Sequence, residues 1–258
     1  MKSITSRDNP TYKQLGHLLR EAHARKEQHR TVLEGIHLCQ TAVQQGVPLR
    51  QLWCSETALQ NAEVNAFCAQ VQCEIFFIPD RLFSAVSTLE HGIGLLAVIA
   101  IPTASLPEKL SENCLLLDRV QDPGNLGTLM RTAAAAGHRK IFCGPGCADP
   151  WSPKVLRAGM GAHFYLEILQ AEDWSQLLPR IVVPILATDL HGAQSLYALD
   201  LRAPAAWLFG NEGSGVAPEL LAAATTRVRI SQPGKIESLN VAAAAAICLF
   251  EQVRQQEI

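Results

Sequence analysis

Three polar, glycine-containing segments in the second half of the chain hold the side chains best suited to chemistry. They begin at Asp118, Phe209 and Ile230, and each directly follows an apolar run that predicts a strand. Ligands of open parallel sheets bind at the carboxyl ends of the strands. We therefore expect the three segments to meet at one edge of a sheet.

The first segment, residues 118–133, combines glycines, which leave the backbone accessible, with an arginine side chain. Gly124 and Gly127 let a ligand approach closely, and Asn125 can cap the helix that follows. Arg131 lies one helical turn after Gly127 on the same face, where a guanidinium suits a phosphate or a ribose. The alternative is that Asn125 only caps the helix and that Arg131 only forms a surface ion pair.

Carboxylate, hydroxyl and amide groups stand in the other two segments. Glu212 lies in a loop whose glycines do not form a dinucleotide-binding pattern, and it suits a cationic or hydroxyl-bearing ligand better than a pyrophosphate. Ser238 and Asn240 lie at the start of the final predicted helix. The alternatives are that Glu212 binds backbone amides and that Ser238 is a plain N-cap. A fourth, weaker segment, residues 187–192, could line the same pocket.

The predicted elements alternate between strands and helices on both sides of a linker at residues 102–113. The first half is predicted as a helix over residues 9–27, strands at 31–34, 49–54, 74–78 and 95–101, and helices at 36–45 and 80–86. The second half is predicted as strands at 114–118, 141–143, 182–188, 205–209 and 228–230, with helices at 124–136, 155–159 and 238–255. Such alternation predicts α/β architecture with a mostly parallel sheet.

Composition indicates a globular protein that needs no disulfide or metal. The chain has 258 residues, of which 48% are hydrophobic and 18% charged, and its eight cysteines form no C-x-x-C pair. No apolar run is long enough for a membrane span, and the N-terminus lacks a secretory signal, so we expect a cytoplasmic protein.

Charge is uneven along the chain. Residues 1–30 hold seven basic and three acidic side chains, against 15 and 21 in the remainder. This asymmetry favours a nucleic-acid partner, although a solvated amphipathic helix is the simpler explanation.

Taken together, the segments resemble the SpoU (TrmH) group of RNA ribose 2′-O-methyltransferases in the SPOUT superfamily. The matching blocks are Asn125–Ala133, Leu208–Gly215 and Ser238–Val241, in the family's order and roughly its spacing. Residues 8–13 and 32–35 resemble the substrate-binding domain that many members carry. The resemblance implies a knotted C-terminal methyltransferase domain at residues 103–258, preceded by a small α/β substrate-binding domain at residues 1–102.

The resemblance also implies S-adenosylmethionine as methyl donor and a homodimeric enzyme. The donor would be contacted by the residues that match the family's positions: Gly210, Ile230 and Leu239, with help from Leu208 and Thr188. Two departures, Ala242 after the third block and the run Ile230–Gly234 before it, bear on donor affinity more than on activity.

The residues that match the family's catalytic set are Arg131, Asn125, Glu212, Ser238 and Asn240. A free guanidinium is protonated at any working pH, so Arg131 is not an ordinary general base. It either loses its proton in a desolvated site or stays charged and stabilises the developing alkoxide; we favour the second. The other four would orient Arg131 and the ribose.

The substrate implied is structured RNA, with large-subunit ribosomal RNA favoured over transfer RNA. The candidates for phosphate contacts are the N-terminal cations Lys2, Arg7, Lys13, Arg20, Arg25, Lys26 and Arg30. Three alternatives stay open: a transfer RNA methyltransferase, a non-catalytic RNA-binding assembly factor, and a nucleotide-dependent oxidoreductase.

Overall fold

A computed structural model describes residues 2–89, 92–191 and 194–257. Its helices are α1 (Pro10–Arg20), α2 (Ala22–Gln28), α3 (Ile36–Gln44), α4 (Ala62–Gln70), α5 (Asp80–Val86), α6 (Pro123–Ala135), α7 (Pro153–Gly159), α8 (Trp174–Leu177), α9 (Pro218–Ala223) and α10 (Val241–Gln256). Its strands are β1 (Lys2–Ser3), β2 (Arg30–Glu34), β3 (Leu49–Ser55), β4 (Glu74–Ile78), β5 (Leu95–Ala100), β6 (Cys114–Leu117), β7 (Lys140–Cys143), β8 (Glu167–Gln170), β9 (Ile185–Thr188), β10 (Gln194–Ser195), β11 (Ala206–Phe209) and β12 (Thr226–Arg229).

The chain divides into two compact units. The first comprises residues up to Thr103 together with Trp151–Phe164, and the second comprises Ala104–Pro150 and the chain from Tyr165 onward. We predicted one boundary, between residues 102 and 103. Residues 151–164 instead belong to the first unit, where Arg157 forms an ion pair with the buried carboxylate of Glu34. Because these two residues are far apart in the sequence, no local sequence pattern predicts their contact.

The first unit is built on a five-stranded mixed sheet in the order β1-β4-β3-β5-β2. Strands β2 and β3 pair with β5 antiparallel, while β1 and β3 pair with β4 in parallel. Apolar side chains of α1 and α5 pack with this sheet in one core that includes Leu15, Trp53 and Leu82.

The second unit is built on a seven-stranded sheet in the order β10-β12-β9-β11-β6-β7-β8, in which every pair is parallel. All residues of β6 and β11, near the middle of the sheet, are buried. Continuous apolar runs are typical of parallel strands covered on both faces. The predicted α/β class and parallel sheet are confirmed, whereas the trefoil knot stays a prediction.

Two helices of the second unit, α6 and α10, carry the candidate site, and each begins at a defined side-chain cap. The Asp122 carboxylate accepts the N–H of Asn125 at 2.8 Å, and Pro123 occupies the first turn, where its missing N–H costs nothing. The Asn240 side-chain oxygen accepts the N–H groups of Ala242 and Ala243 at 2.9 and 3.2 Å. The helix α6 ends before Gly137, whose φ of +78° is the left-handed conformation expected at that position.

Several predicted boundaries were wrong. The helix over residues 9–27 is two helices, because Glu21 adopts an extended conformation with φ −114° and ψ 117°. Strand β9 is three residues shorter at its start than predicted. The helix α4 and the strand β8 were missed; β8 has one buried residue, Ile168, and therefore little apolar signal.

Among the described residues, no helix combines the length and apolarity needed to cross a bilayer. Over the same ranges, no three His, Cys, Asp or Glu side chains are grouped as metal ligands.

Candidate active site

A cavity of about 390 Å³ lies beyond the carboxyl ends of β9, β11 and β12. Its walls are residues 188–191 after β9, residues 210–216 after β11, and parts of the segment that joins β12 to α10. Three of the four polar segments singled out in the sequence therefore meet here. Of the weaker segment at 187–192, Gly192 lies outside the described residues.

Four of the five predicted donor-binding residues line the cavity: Thr188, Gly210, Ile230 and Leu239. Leu208 does not, because its side chain is buried within β11 at 1% exposure. The carbonyl oxygen of Leu208 accepts a hydrogen bond from the Thr188 hydroxyl at 3.3 Å. Leu208 thus contacts a residue of the cavity wall without lining the cavity itself.

The side chains of the cavity fit S-adenosylmethionine in size and charge. Binding pockets for small ligands span roughly 300–1,000 Å³. Carboxylates of Asp189, Glu212 and Glu237 suit the cationic parts of the donor, while Ile230 and Leu239 are apolar wall residues of the kind that would suit its adenine ring. The side-chain oxygen of Gln232, another wall residue, is buried and has no hydrogen-bond partner among the described residues, so an acceptor is available for a ligand N–H.

Glu212 joins the loop after β11 to the start of α6. Its carboxylate accepts the backbone N–H groups of Gln121 and Asp122 at 3.3 and 3.2 Å and the Asn125 amide at 3.1 Å. Burial raises the pKa of Glu212, but the hydrogen bonds from Asn125 and the backbone outweigh it, so the pKa lies below its usual value. Glu212 therefore stays ionised wherever the fold is intact near neutral pH.

Asn240 extends this link to α10. Its amide nitrogen donates to the Asn125 side-chain oxygen at 2.8 Å while its own oxygen caps α10. Glu212, Asn125 and Asn240, which are separated by up to 115 residues, form one continuous hydrogen-bonded chain beside the cavity. The structure brings together three of the five predicted catalytic residues.

The two capping alternatives of the sequence are wrong. Asn125 does not cap α6, because Asp122 occupies that position and Asn125 lies within the first turn. Ser238 does not cap α10, because the helix begins at Val241 with Asn240 as its cap. Ser238 instead lies two residues earlier, exposed at the cavity wall.

Arg131 lies on α6, six residues after Asn125, and does not line the cavity. Its side chain is exposed, and no described residue forms a hydrogen bond or ion pair with it. The guanidinium is thus available to an anionic or hydroxyl-bearing ligand from outside the chain.

Two residues that shape this site, Asp118 and Asn211, were not among the predicted site residues. Asn211 closes the loop after β11 by accepting the N–H groups of Gly213 and Ser214, each at 3.0 Å. The Asp118 carboxylate is buried and accepts the N–H of Ala217 at 2.8 Å. A carboxylate directly after an apolar strand was the available signal.

The predicted basic surface of the first unit needs one correction. Arg25 is only 4% exposed, and its guanidinium donates to the Leu18 carbonyl at 2.8 Å, so it cannot contact a phosphate. Lys2 and Lys13 are exposed but paired, with Glu74 and Asp8 respectively.

Comparison with sequence families assigns both units. Residues 112–250 match the SpoU rRNA Methylase family, and residues 9–97 match the MRM3-like substrate binding domain.

The chain is similar over nearly its full length to several methyltransferases. It is 34% identical to an uncharacterized tRNA/rRNA methyltransferase of Synechocystis, covering 98% of this chain and 94% of the relative. It is 31% identical to the 23S rRNA (guanosine(2553)-2′-O)-methyltransferase RlmP of Bacillus subtilis, covering 97% and 98%.

A crystal structure of an AdoMet-bound rRNA methyltransferase from Sinorhizobium meliloti superposes with a TM-score of 0.82 at 31% identity, covering 98% of this chain and 97% of that one. The chain therefore belongs to the SpoU family of RNA methyltransferases.

Proposed function

We propose that this protein transfers a methyl group from S-adenosylmethionine to a ribose 2′-hydroxyl of structured ribosomal RNA. The observation that carries the proposal is the hydrogen-bonded chain of Glu212, Asn125 and Asn240 beside the cavity that fits the donor. Full-length similarity to an enzyme named for 23S rRNA 2′-O-methylation supports it.

When bound, S-adenosylmethionine supplies an electrophilic methyl group. The walls at Gly210, Ile230 and Leu239 hold the donor and exclude water, while Thr188 hydrogen-bonds to the strand behind them. Holding donor and acceptor in line contributes much of the rate acceleration.

Arg131 acts at the acceptor. Its side chain is exposed rather than desolvated, which supports the charged form over a deprotonated base. A guanidinium placed at the 2′-oxygen would stabilise the negative charge that develops as the oxygen–methyl bond forms and the sulfur–methyl bond breaks. S-adenosylhomocysteine would be the leaving product, and the hydroxyl proton would pass to solvent water, which reaches the exposed side chains of Arg131 and Ser238. Ser238, at the cavity wall, and Asn125, about one and two-thirds turns before Arg131, orient the ribose.

Ribosomal rather than transfer RNA is supported by the first unit, which matches a substrate-binding domain, and by the names of the relatives. The ribose carries the recognised hydroxyl, so the enzyme needs RNA shape more than a base code. We further propose that the enzyme is a cytoplasmic homodimer, as the family resemblance implies.

The proposal is tested by incubating the protein with tritium-labelled S-adenosylmethionine and unmodified ribosomal or transfer RNA. Nuclease digests are then separated to identify the labelled nucleoside. We expect label in a 2′-O-methylnucleoside from ribosomal RNA. Label in transfer RNA alone would redirect the substrate assignment, and label on a base or on no RNA, including ribosome-assembly intermediates, would contradict the proposed activity.

A further inference from the structure

Asp118 is a buried carboxylate to which the proposed chemistry gives no role. It directly follows β6, and its side chain is 3% exposed. It accepts the N–H of Ala217 at 2.8 Å and two guanidinium N–H groups of Arg119, each at 3.1 Å. A carboxylate is buried at high cost unless such partners satisfy it.

Arg119, its partner, holds an uncommon backbone conformation. Its φ is +53°, in the left-handed region that residues with a side chain rarely adopt. Its carbonyl oxygen accepts the Asn211 amide at 2.8 Å, and its guanidinium lies 3.4 Å from the Gly215 carbonyl oxygen. Backbone strain of this kind persists only where surrounding contacts enforce it.

The contacts of both residues converge on one turn of the cavity wall. Asn211 and Gly215 close this turn with two backbone hydrogen bonds, of 3.0 and 2.9 Å. Gly210, just before it, leaves no room for a side chain, because an added Cβ would lie 2.2 Å from the Val216 nitrogen. The turn is thus held at Asn211, at Gly215 and at Ala217, the residue that precedes the first residue of α9.

We propose that Asp118 and Arg119 are positioning residues that hold the turn at residues 211–217 in the shape that binds the methyl donor. Glu212 projects from this same turn to the N-terminus of α6, so the pair also sets the position of Glu212. The inference rests on the proposed function, because it names the donor as the ligand of this wall.

A positioning role and a purely structural role of Asp118 and Arg119 predict different effects of substituting these residues. A structural ion pair affects the stability of the fold, whereas a pair that shapes the donor wall affects donor affinity in protein that remains folded. The bidentate contact also couples the two residues, so their substitutions should not be additive.

The test compares Asp118→Asn, Arg119→Gly and the double variant with the wild type. Asn is isosteric and removes the charge, while Gly removes the guanidinium and still permits the left-handed backbone. Asp200→Asn is the matched control, because Asp200 pairs with Arg202 at 2.6 Å in the same unit but is exposed and outside the cavity wall. Calorimetry without RNA gives the Kd for S-adenosylmethionine, and initial rates give kcat and both KM values.

We expect Asp118→Asn to raise the donor Kd and donor KM about tenfold, as for loss of a charge-assisted hydrogen bond, with the KM for RNA within about twofold of wild type. Arg119→Gly should act in the same direction, and the double variant should be no weaker than Asp118→Asn. The control should bind the donor like wild type.

Wild-type donor affinity in folded Asp118→Asn and Arg119→Gly would overturn the proposal. If Asp118→Asn fails to fold, Arg119→Gly decides the question. A wild-type protein that binds no donor would instead contradict the proposed function itself, which keeps the two failures distinguishable.

Discussion

At the scale of single residues, Glu212 both lines the cavity and accepts hydrogen bonds from three N–H groups at the start of α6. Because the pKa of Glu212 is lowered, its ionised carboxylate stabilises the folded protein fully above about pH 4.5, the ordinary pKa of a glutamate. This stabilisation is lost only as the pH falls through the lower pKa of Glu212 in the folded protein. Glu212 should therefore not set the acid limit of activity near neutral pH.

Glu212→Gln should lower the rate of methyl transfer by about 10- to 100-fold, in keeping with the loss of hydrogen bonds to a charged group. The glutamine amide presents its own donors to Gln121, Asp122 and Asn125, so the carboxylate's contacts cannot all be kept. Single-turnover rates at saturating donor measure the effect. Glu257→Gln, a change at an exposed position after α10, is the control, and equal rates for both variants would refute this role of Glu212.

His138 predicts a pH-dependent stability. Burial lowers the pKa of His138 to about 4 from the ordinary 6.5, and its Nδ1 has no hydrogen-bond partner among the described residues. The unfolded chain binds a proton below pH 6.5 where the folded chain does not, so stability falls as the pH drops from 6.5 towards 4. Between pH 7.5 and 5 the loss from this residue should be about 2 kcal/mol.

Urea unfolding of wild type and His138→Leu at the two pH values checks this. The variant should lack that part of the acid destabilisation, whereas His23→Gln, a substitution of an exposed histidine, should behave like wild type. The same pH difference in His138→Leu and wild type would show that His138 is not the source.

At the scale of elements, the site depends on two helices, α6 and α10, whose N-terminal ends lie close together in space. The helices α6 and α10 pack together, and the Asn240 amide spans their N-terminal ends to reach Asn125. One side chain therefore both caps a helix and contacts the predicted catalytic set, and these two roles can be separated by substitution.

Asn240→Asp should keep the cap and lose the contact, because a carboxylate accepts the N–H groups of α10 but cannot donate to the Asn125 oxygen. We expect little change in Tm and a rate lowered about tenfold. Asn240→Ala should lose both roles and, in addition, about 1 kcal/mol of unfolding free energy. Thermal melts and methyl-transfer rates give the two readouts.

The control for this pair is Asn61, which caps α4 in the first unit in the same way. Asn61→Ala should cost about the same stability and leave the rate unchanged. A fully active Asn240→Asp would contradict the role given to the Asn125 contact.

Local sequence patterns predicted some helices and strands accurately but did not predict the contacts between distant residues. The strand at 74–78 and the helix at 80–86 were predicted as observed, since each carries a full apolar signal between clear breaks. Glu212, Asn125 and Asn240 were each singled out by residue type and by resemblance. Their contacts, and that of Asp118 with Ala217 across 99 residues, arise from the order of strands in the sheet, which no local spacing encodes.

At the scale of the whole molecule, we propose that the first unit binds RNA and that the second unit binds the methyl donor. Arg7 and Arg20 of the first unit are exposed, and neither forms an ion pair with a described residue; the Arg20 guanidinium donates to the Ala85 carbonyl at 2.6 Å. Both can contact phosphates, whereas Arg25 is buried. Substitution of Arg7 and Arg20 should therefore lower the affinity for RNA without changing the affinity for the methyl donor.

Arg7→Glu combined with Arg20→Glu should weaken RNA binding and reduce the slope of log affinity against log salt by roughly one to two. Filter binding across a salt series measures this, and calorimetry checks that the donor Kd is unchanged. Arg202→Glu combined with Arg254→Glu makes the same change of charge at exposed, paired positions of the second unit and is the matched control. Equal RNA affinity of wild type and the Arg7/Arg20 variant at physiological salt would exclude this surface.

The most direct test of the central claim compares wild type with Arg131→Ala in methyl transfer from tritium-labelled S-adenosylmethionine to unmodified ribosomal RNA. We predict label in a 2′-O-methylnucleoside for the wild type and a rate lowered at least about 100-fold in the variant, with unchanged donor affinity. Label on a base, or a wild-type rate in Arg131→Ala, would contradict the account.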